Sequence, residues 1–213
     1  MVAHNGTSLT VNSQNRLKTH PDLKEAYTYL IWVLQTHPNI THVTFDVNAW
    51  LNGIYKHLLN LLKNPKITHI TACIFTTDKN KGIFEFFNQL AYNRTLKRLE
   101  LINSSWVTLD GNELYNTIGN VLQHNTTLTD LRLLYFNFYT SDNTLATWGD
   151  ALASNRTLQT FSISFSKINS YALRDIIQGV NLNTTLRDLN LDVNCLTSTV
   201  ISDLITTPVK LTN

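Results

Sequence analysis

The side chains best placed for chemistry in this 213-residue chain are His42 and His69, which hold equivalent positions in two similar stretches, THVTFD (41–46) and THITAC (68–73). If the two stretches are neighbouring strands, the imidazoles stand about 5 Å apart, close enough to share a metal ion or to respond together to pH. Asp46 and Cys73 lie four residues further along the same strands. At about 3.3 Å per residue that is over ~10 Å away, so a four-ligand zinc site does not close and the pair reads as exposed polar side chains able to sense pH. No C-x-x-C, H-E-x-x-H, G-x-S-x-G, Walker A or G-x-G-x-x-G pattern occurs, and the seven glycines are scattered. The expectation is a non-enzymatic protein without cofactor, metal or small-molecule substrate.

The elements that position these residues come in a repeating frame. Residues 186–196, LRDLNLDVNCL, have the spacing LxxLxLxxNxL, and the frame recurs at Leu158/Phe161/Ile163, Leu128/Leu131/Leu133, Leu96/Leu99/Leu101, Ile67/Ile70/Ala72 and Ile40/Val43/Phe45, with an irregular copy at Leu9/Val11. Anchors at 43, 70, 99, 131, 161 and 189 are separated by 27, 29, 32, 30 and 28 residues. Such a period predicts a solenoid in which each unit is a strand plus a helix that cannot bury its apolar face alone. Helices are expected over 21–36, 52–63, 82–92, 111–123, 142–153 and 170–181 from apolar residues at helical spacing. The first of these carries a broad apolar run (Leu30, Ile31, Val33, Leu34) and reads as an N-terminal cap.

The long repeats, with a full helix between strands, resemble the ribonuclease-inhibitor class of leucine-rich repeat over nearly all of residues 1–213. The fold expected is an α/β horseshoe of about seven repeats in one domain, with a parallel sheet on the concave face and helices on the convex face. Residues 1–37 form the cap and first repeat, and 197–213 a C-terminal cap or a truncated repeat. Asn48 and Asn194 match the motif asparagine, whereas Phe75, Ser104, Phe136 and Ser166 replace it, so those turns must satisfy their amides differently. The N-x-T-L-x-x-L-x-L repeats are also similar to leucine-rich repeat effectors of Legionella-type intracellular bacteria. That resemblance implies a virulence protein that binds, and inhibits or targets, a host protein or another effector. The repeat class also includes GTPase-activating proteins of the Ran type, and a regulator of catalysis or a ubiquitin-ligase substrate-recruiting module is the alternative expectation.

Charged residues make up 15% of the chain and the net charge is +2, which argues against nucleic acid or an anionic membrane as partner. The apolar segments are short and the opening residues polar, so neither a transmembrane helix nor a Sec-type signal is expected. The protein is expected in a cytosol, or exported by another route into a host cell. Cys73 and Cys195 sit four repeats apart, on the order of 20 Å at ~5 Å per stacked strand, and cannot pair. Seven N-x-S/T sequons occur, four of which (Asn93, Asn125, Asn155, Asn183) stand three residues before the first leucine of a repeat. There the asparagine is expected to end the helix and turn the chain into the strand.

Strand alternation predicts the binding surface. The residues before and between the inward leucines give the polar columns Ser8, His42, His69, Arg98, Asp130, Thr160, Asp188 and Thr10, Thr44, Thr71, Glu100, Arg132, Ser162, Asn190. The next two columns hold Asn12, Asp46, Cys73, Ile102, Leu134, Ser164, Asp192 and then Ser13, Val47, Ile74, Asn103, Tyr135, Phe165, Val193. Folding gives no reason to leave Ile74, Ile102, Leu134, Tyr135 and Phe165 in water, whereas interface cores favour such groups with Arg as an anchor. A protein-binding face containing Arg98, Glu100, Asp130, Arg132 and Asp192 as well is therefore expected, with Tyr135, Phe165 and Arg132 as hot spots and Tyr139 as an extension. Trp32, Trp50, Trp106 and Trp148 read as core.

Overall fold

Alternating apolar residues in short segments, each followed by a helical apolar stripe, dictate the observed order of elements. The computed structural model describes residues 2–4, 6–12, 20–46, 54–74, 82–104, 111–138 and 148–192. Strands are β1 (Val2–His4), β2 (Ser8–Asn12), β3 (His42–Asp46), β4 (His69–Ile74), β5 (Arg98–Asn103), β6 (Asp130–Leu134), β7 (Thr160–Ser164) and β8 (Asp188–Asn190). Between them lie α1 (His20–Thr36), α2 (Ile54–Leu62), α3 (Gly82–Tyr92), α4 (Gly111–His124), α5 (Trp148–Ser154) and α6 (Ser170–Leu182). The strands form one sheet in chain order, parallel from β2 to β8. The antiparallel strand β1, which the repeat pattern does not announce, pairs with β2 at the N-terminal edge.

The register aligns like with like. Leu9, Val43, Ile70, Leu99, Leu131, Phe161 and Leu189 stand opposite one another across the parallel strands. All but Leu189 are fully buried and contribute to one continuous core. Helices close that core with residues three and four apart, such as Ile83, Phe86, Phe87 and Leu90 in α3 and Leu173, Ile176, Ile177 and Val180 in α6. One face of the sheet is thereby covered, and the other is left open. In α1, however, the apolar run is covered on one side only. Leu30 and Val33 are buried, whereas Ile31 is exposed and Trp32, expected in the core, is 51% exposed and stacks on Tyr29 at 5.5 Å. Ile31, though exposed, borders a hollow with Asn60 and Leu61 of α2, whereas Trp32 and Tyr29 stack on each other in solvent.

Each strand–helix unit is tied to the one before by a column of asparagines. Asn125 donates from Nδ2 to the Leu90 carbonyl at 2.6 Å and the Asn93 carbonyl at 3.3 Å, while its Oδ1 accepts from the Thr127 and Leu128 amides at 2.9 and 2.7 Å. Asn155 repeats the pattern with Leu122, Asn125, Thr157 and Leu158, and Asn183 with Leu152, Asn155, Thr185 and Leu186. Asn93 donates to Leu62 at 2.8 Å. The accepting leucine carbonyls belong to the last turns of the preceding helices, groups that lack an intrahelical partner. One amide side chain therefore satisfies its own turn and the helix end beside it. In three of the four the side chain lies in a buried residue, so the sequons serve structure.

A second lock joins α4, α5 and α6. The Trp148 indole donates to the Tyr115 carbonyl at 2.7 Å and stacks on the Tyr115 ring at 4.3 Å. The Tyr115 hydroxyl and the Gly149 amide both donate to Asp175, and burial holds the Tyr115 phenol well above its ordinary pKa. The close approach requires glycine at two places, since a Cβ on Gly149 would overlap Asp175 and one on Gly179 would overlap the Gly149 carbonyl.

Replacing Asn155 with alanine removes both halves of its bonding and leaves buried carbonyls and amides without partners, each costing about 1–3 kcal/mol. We expect Asn155→Ala to lower the unfolding free energy by about 3 kcal/mol in urea titration. A loss below about 1 kcal/mol would show the column to be incidental.

Candidate protein-binding face

On the open face, β5 and β6 carry a charge network built from residues two apart. Asp130 accepts from Arg132 Nε and Nη2 at 2.8 and 3.1 Å, and Arg98 Nε lies 3.5 Å from the same carboxylate. Arg98 Nη2 also donates to Glu100 at 3.4 Å. The two-pronged contact is the strong form of an arginine–carboxylate pair. Hydrogen bonding to Asp130 holds the Arg132 pKa above even its usual high value. Arg98, Glu100, Asp130 and Arg132 are thus brought together as expected, with the guanidiniums pinned in place.

Further toward β3, the His42 and His69 rings stack with centroids 3.9 Å apart and planes inclined by 18°. Each Nδ1 is held by the preceding threonine hydroxyl, Thr41 at 2.7 Å and Thr68 at 2.8 Å. The two rings, Thr44, Thr71 and Arg98 border a shallow hollow of about 230 Å³. Burial, then the charges of His42, Arg98 and Lys97, lower the His69 pKa, and Asp130 partly opposes them. Among the described residues no group of three or more His, Cys, Asp or Glu side chains is placed to hold a metal ion.

At the far end of the face the chain leaves regular strand geometry. Tyr135 and Phe165 follow β6 and β7 in left-handed backbone, with φ of 62° and 56°. That region costs a residue with a Cβ roughly 1–2 kcal/mol. The reversal turns both side chains outward, where they are 51% and 42% exposed and stack at 4.9 Å. Their amides stay paired with the next repeat, Tyr135 N–H donating to the Ser164 carbonyl and Phe165 N–H to that of Asp192. Beneath them, Ser166 Oγ accepts from the Phe136 amide at 3.2 Å and donates to the Ser164 carbonyl at 2.8 Å. Serine there replaces the expected asparagine.

The same position behaves differently in the two preceding repeats, and one expected site residue is overturned. Ile74 is 1% exposed and belongs to the core, because β4 continues in regular alternation to its end and sends Ile70, Ala72 and Ile74 inward. Asn103 is likewise buried, and its Nδ2 donates to the Tyr135 carbonyl at 3.4 Å. Two successive residues of a strand cannot face the same side. Left-handed backbone just after β6 and β7 lets Tyr135 and Phe165 join the outward Ile102 and Leu134, which are half-buried. Ser162 and Ser164, expected on the surface, are both buried, and Ser164 donates to Asn190 Oδ1 at 3.1 Å. Asp192 is exposed, and Trp148 is core as expected. Asp46 lies in β3, but its side-chain position, like Asn48, Phe75, Tyr139, Asn194, Trp50, Trp106, Val47, Val193, Cys195 and residues 197–213, falls outside what is described.

Asn64 is a residue that the sequon pattern passes over, since Lys66 stands where a sequon has serine or threonine. It occupies the asparagine column and accepts from the Lys66 amide at 3.0 Å; its place three residues before Ile67 was the available signal. No helix among the described residues is long and apolar enough to cross a membrane. No protein-family model matches the chain, and no curated protein sequence does so.

The lowered His69 pKa fixes the sign of a pH effect. An unfolded His69 takes up a proton near pH 6.5 while the folded one resists, so its contribution to stability is full above 6.5 and is lost as pH falls through the lower folded value. The difference in unfolding free energy between wild type and His69→Gln should narrow or reverse from pH 7.5 to pH 5. A constant difference would show that His69 does not titrate with folding.

Proposed function

We propose that this chain is a leucine-rich repeat horseshoe of the ribonuclease-inhibitor-like kind. It works as a non-catalytic protein-binding module whose concave face engages its partner. The observation that carries this reading is the stacked pair Tyr135 and Phe165, exposed and held in left-handed backbone on consecutive repeats. Neither packing nor backbone preference favours two aromatics there, since glycine or asparagine adopts that region at lower cost. Interface centres do favour them, together with a fixed arginine, which Arg132 supplies.

The partner is a protein rather than a nucleic acid, a membrane or a small substrate, because the face offers aromatic and aliphatic surface with balanced arginine–carboxylate pairs. In line with the resemblance of its repeats to bacterial leucine-rich repeat effectors, the module is proposed to act inside a host cell. There it would bind a host protein or another effector and inhibit or redirect it. A role as a GTPase regulator working through a free arginine is the weaker reading, since Arg98 and Arg132 are already committed to Glu100 and Asp130.

The test is affinity capture from host-cell and bacterial lysates with the wild-type chain and a Tyr135→Ala/Phe165→Ala variant, both verified as folded by circular dichroism. A protein retained by the wild type and reduced at least tenfold by the variant is the expected result. Equal capture by both would place the binding surface elsewhere.

A further inference from the structure

Every asparagine of the column is also the acceptor of an N-x-T sequon: Asn93-Arg94-Thr95, Asn125-Thr126-Thr127, Asn155-Arg156-Thr157 and Asn183-Thr184-Thr185. Where an oligosaccharyltransferase operates, it moves a glycan from a lipid pyrophosphate carrier to such asparagines in the nascent chain. One Nδ2–H bond breaks, a bond from Nδ2 to the anomeric carbon of the sugar forms, and the lipid pyrophosphate leaves with the proton. In the native chain those hydrogens are already engaged. Nδ2 of Asn125, Asn155 and Asn183 each donates to two carbonyls of the preceding repeat, and the three residues are 3%, 8% and 8% exposed. A glycan there removes one of the two donors, strands a buried carbonyl and forces a sugar into a seam between close-packed repeats. Asn93 spends its amide on the Leu62 carbonyl. Asn103, in the sequon Asn103-Ser104-Ser105, is buried too, with Nδ2 3.4 Å from the Tyr135 carbonyl.

The sequon Asn39-Ile40-Thr41 is built differently. Asn39 is exposed and stands outside the column, because His37 holds the place three residues before Ile40. That turn closes through the backbone, the Ile40 amide donating to the His37 carbonyl at 3.2 Å. We infer that N-glycosylation decides whether this array folds: a glycan on any column asparagine excludes the native state, whereas Asn39 can carry one in the folded chain. The native protein therefore forms where no oligosaccharyltransferase reaches the nascent chain, and passage through a glycosylating secretory compartment switches it off. This holds whatever the open face binds.

The first test needs no substitution. The wild-type chain, routed through a eukaryotic secretory pathway by a cleavable signal, should be recovered native at least tenfold more abundantly when tunicamycin blocks synthesis of the lipid-linked donor. Two variants then separate the sites by changing the third residue of the sequons and leaving every asparagine in place. Thr7→Val/Thr95→Val/Ser105→Ala/Thr127→Val/Thr157→Val/Thr185→Val keeps Asn39 as its one sequon, and the second variant restores Thr157 and with it the Asn155 sequon. Both are first made in a bacterial cytosol, where circular dichroism and urea titration check that they fold alike. After secretion the Asn39 variant should carry its glycan, located by mass spectrometry, with the urea midpoint unchanged. Molecules of the second variant with a sugar on Asn155 should be unfolded, and native yield should fall at least tenfold. Native protein bearing a sugar on a column asparagine, unfolding caused by the Asn39 glycan alone, or an Asn155 left bare in the secretory pathway would each overturn the inference.

Discussion

Burying a polar backbone at the seams between repeats is the constraint on which this structure depends. Every helix ends with carbonyls that have no partner in the helix, and every following turn presents amides that have none in the strand. In a lone domain, water satisfies many such groups; between stacked units there is little room for it. The column Asn93, Asn125, Asn155 and Asn183 answers both needs with one side chain per repeat, accepting from its own turn and donating to the previous helix end. An amide is the only short side chain with a strong acceptor and two donors, so neither aspartate nor threonine can replace it. The period of the array follows from this as much as from its leucines.

A seam fixed in this way sets the register of the sheet, and the register sets what stands on the open face. Because equivalent residues are aligned, His42 meets His69, Arg98 meets Asp130 and Tyr135 meets Phe165. The three encounters have different energetic standing. The stacked imidazoles are each held by a threonine hydroxyl, and the arginine–aspartate network holds itself together. The aromatic pair gains roughly 0.5–1.5 kcal/mol from ring contact against a backbone cost of similar size at each residue. A feature that adds so little to folding is where a partner is best sought.

Much of this was legible in the sequence, because the fold is periodic and the signals repeat. The leucine anchors placed the parallel strands in the observed register, and the sequon column marked the helix ends. The helix ranges agree to within two residues where the structure describes them, 148–154 standing within the expected 142–153 save for its last residue. What failed were places where neighbouring repeats part company. Ile74 and Tyr135 share a column, yet one points into the core and the other into solvent, because the sign of φ at that residue decides the side and no residue type there announces it. Trp32 stands in the open for another reason: it belongs to one broad apolar run with the buried Leu30 and Val33, and such a run does not tell which of its residues face the core. Strand β1 is too short to carry a pattern, and Asn64 was hidden because Lys66 replaces the threonine that follows the other asparagines of the column.

Whether Tyr135 and Phe165 are there for a partner or for the fold can be decided without knowing the partner. The measurement is the unfolding free energy, by urea titration, of Tyr135→Asn/Phe165→Asn beside the wild type. Asparagine accepts left-handed backbone with less strain, which offsets the lost ring contact and the partial burial of the rings. The account predicts a variant within about 1 kcal/mol of the wild type, or more stable. A loss of more than about 3 kcal/mol, the scale of removing a buried aromatic, would mean that the pair holds the repeats together and would contradict the assignment of this face to binding.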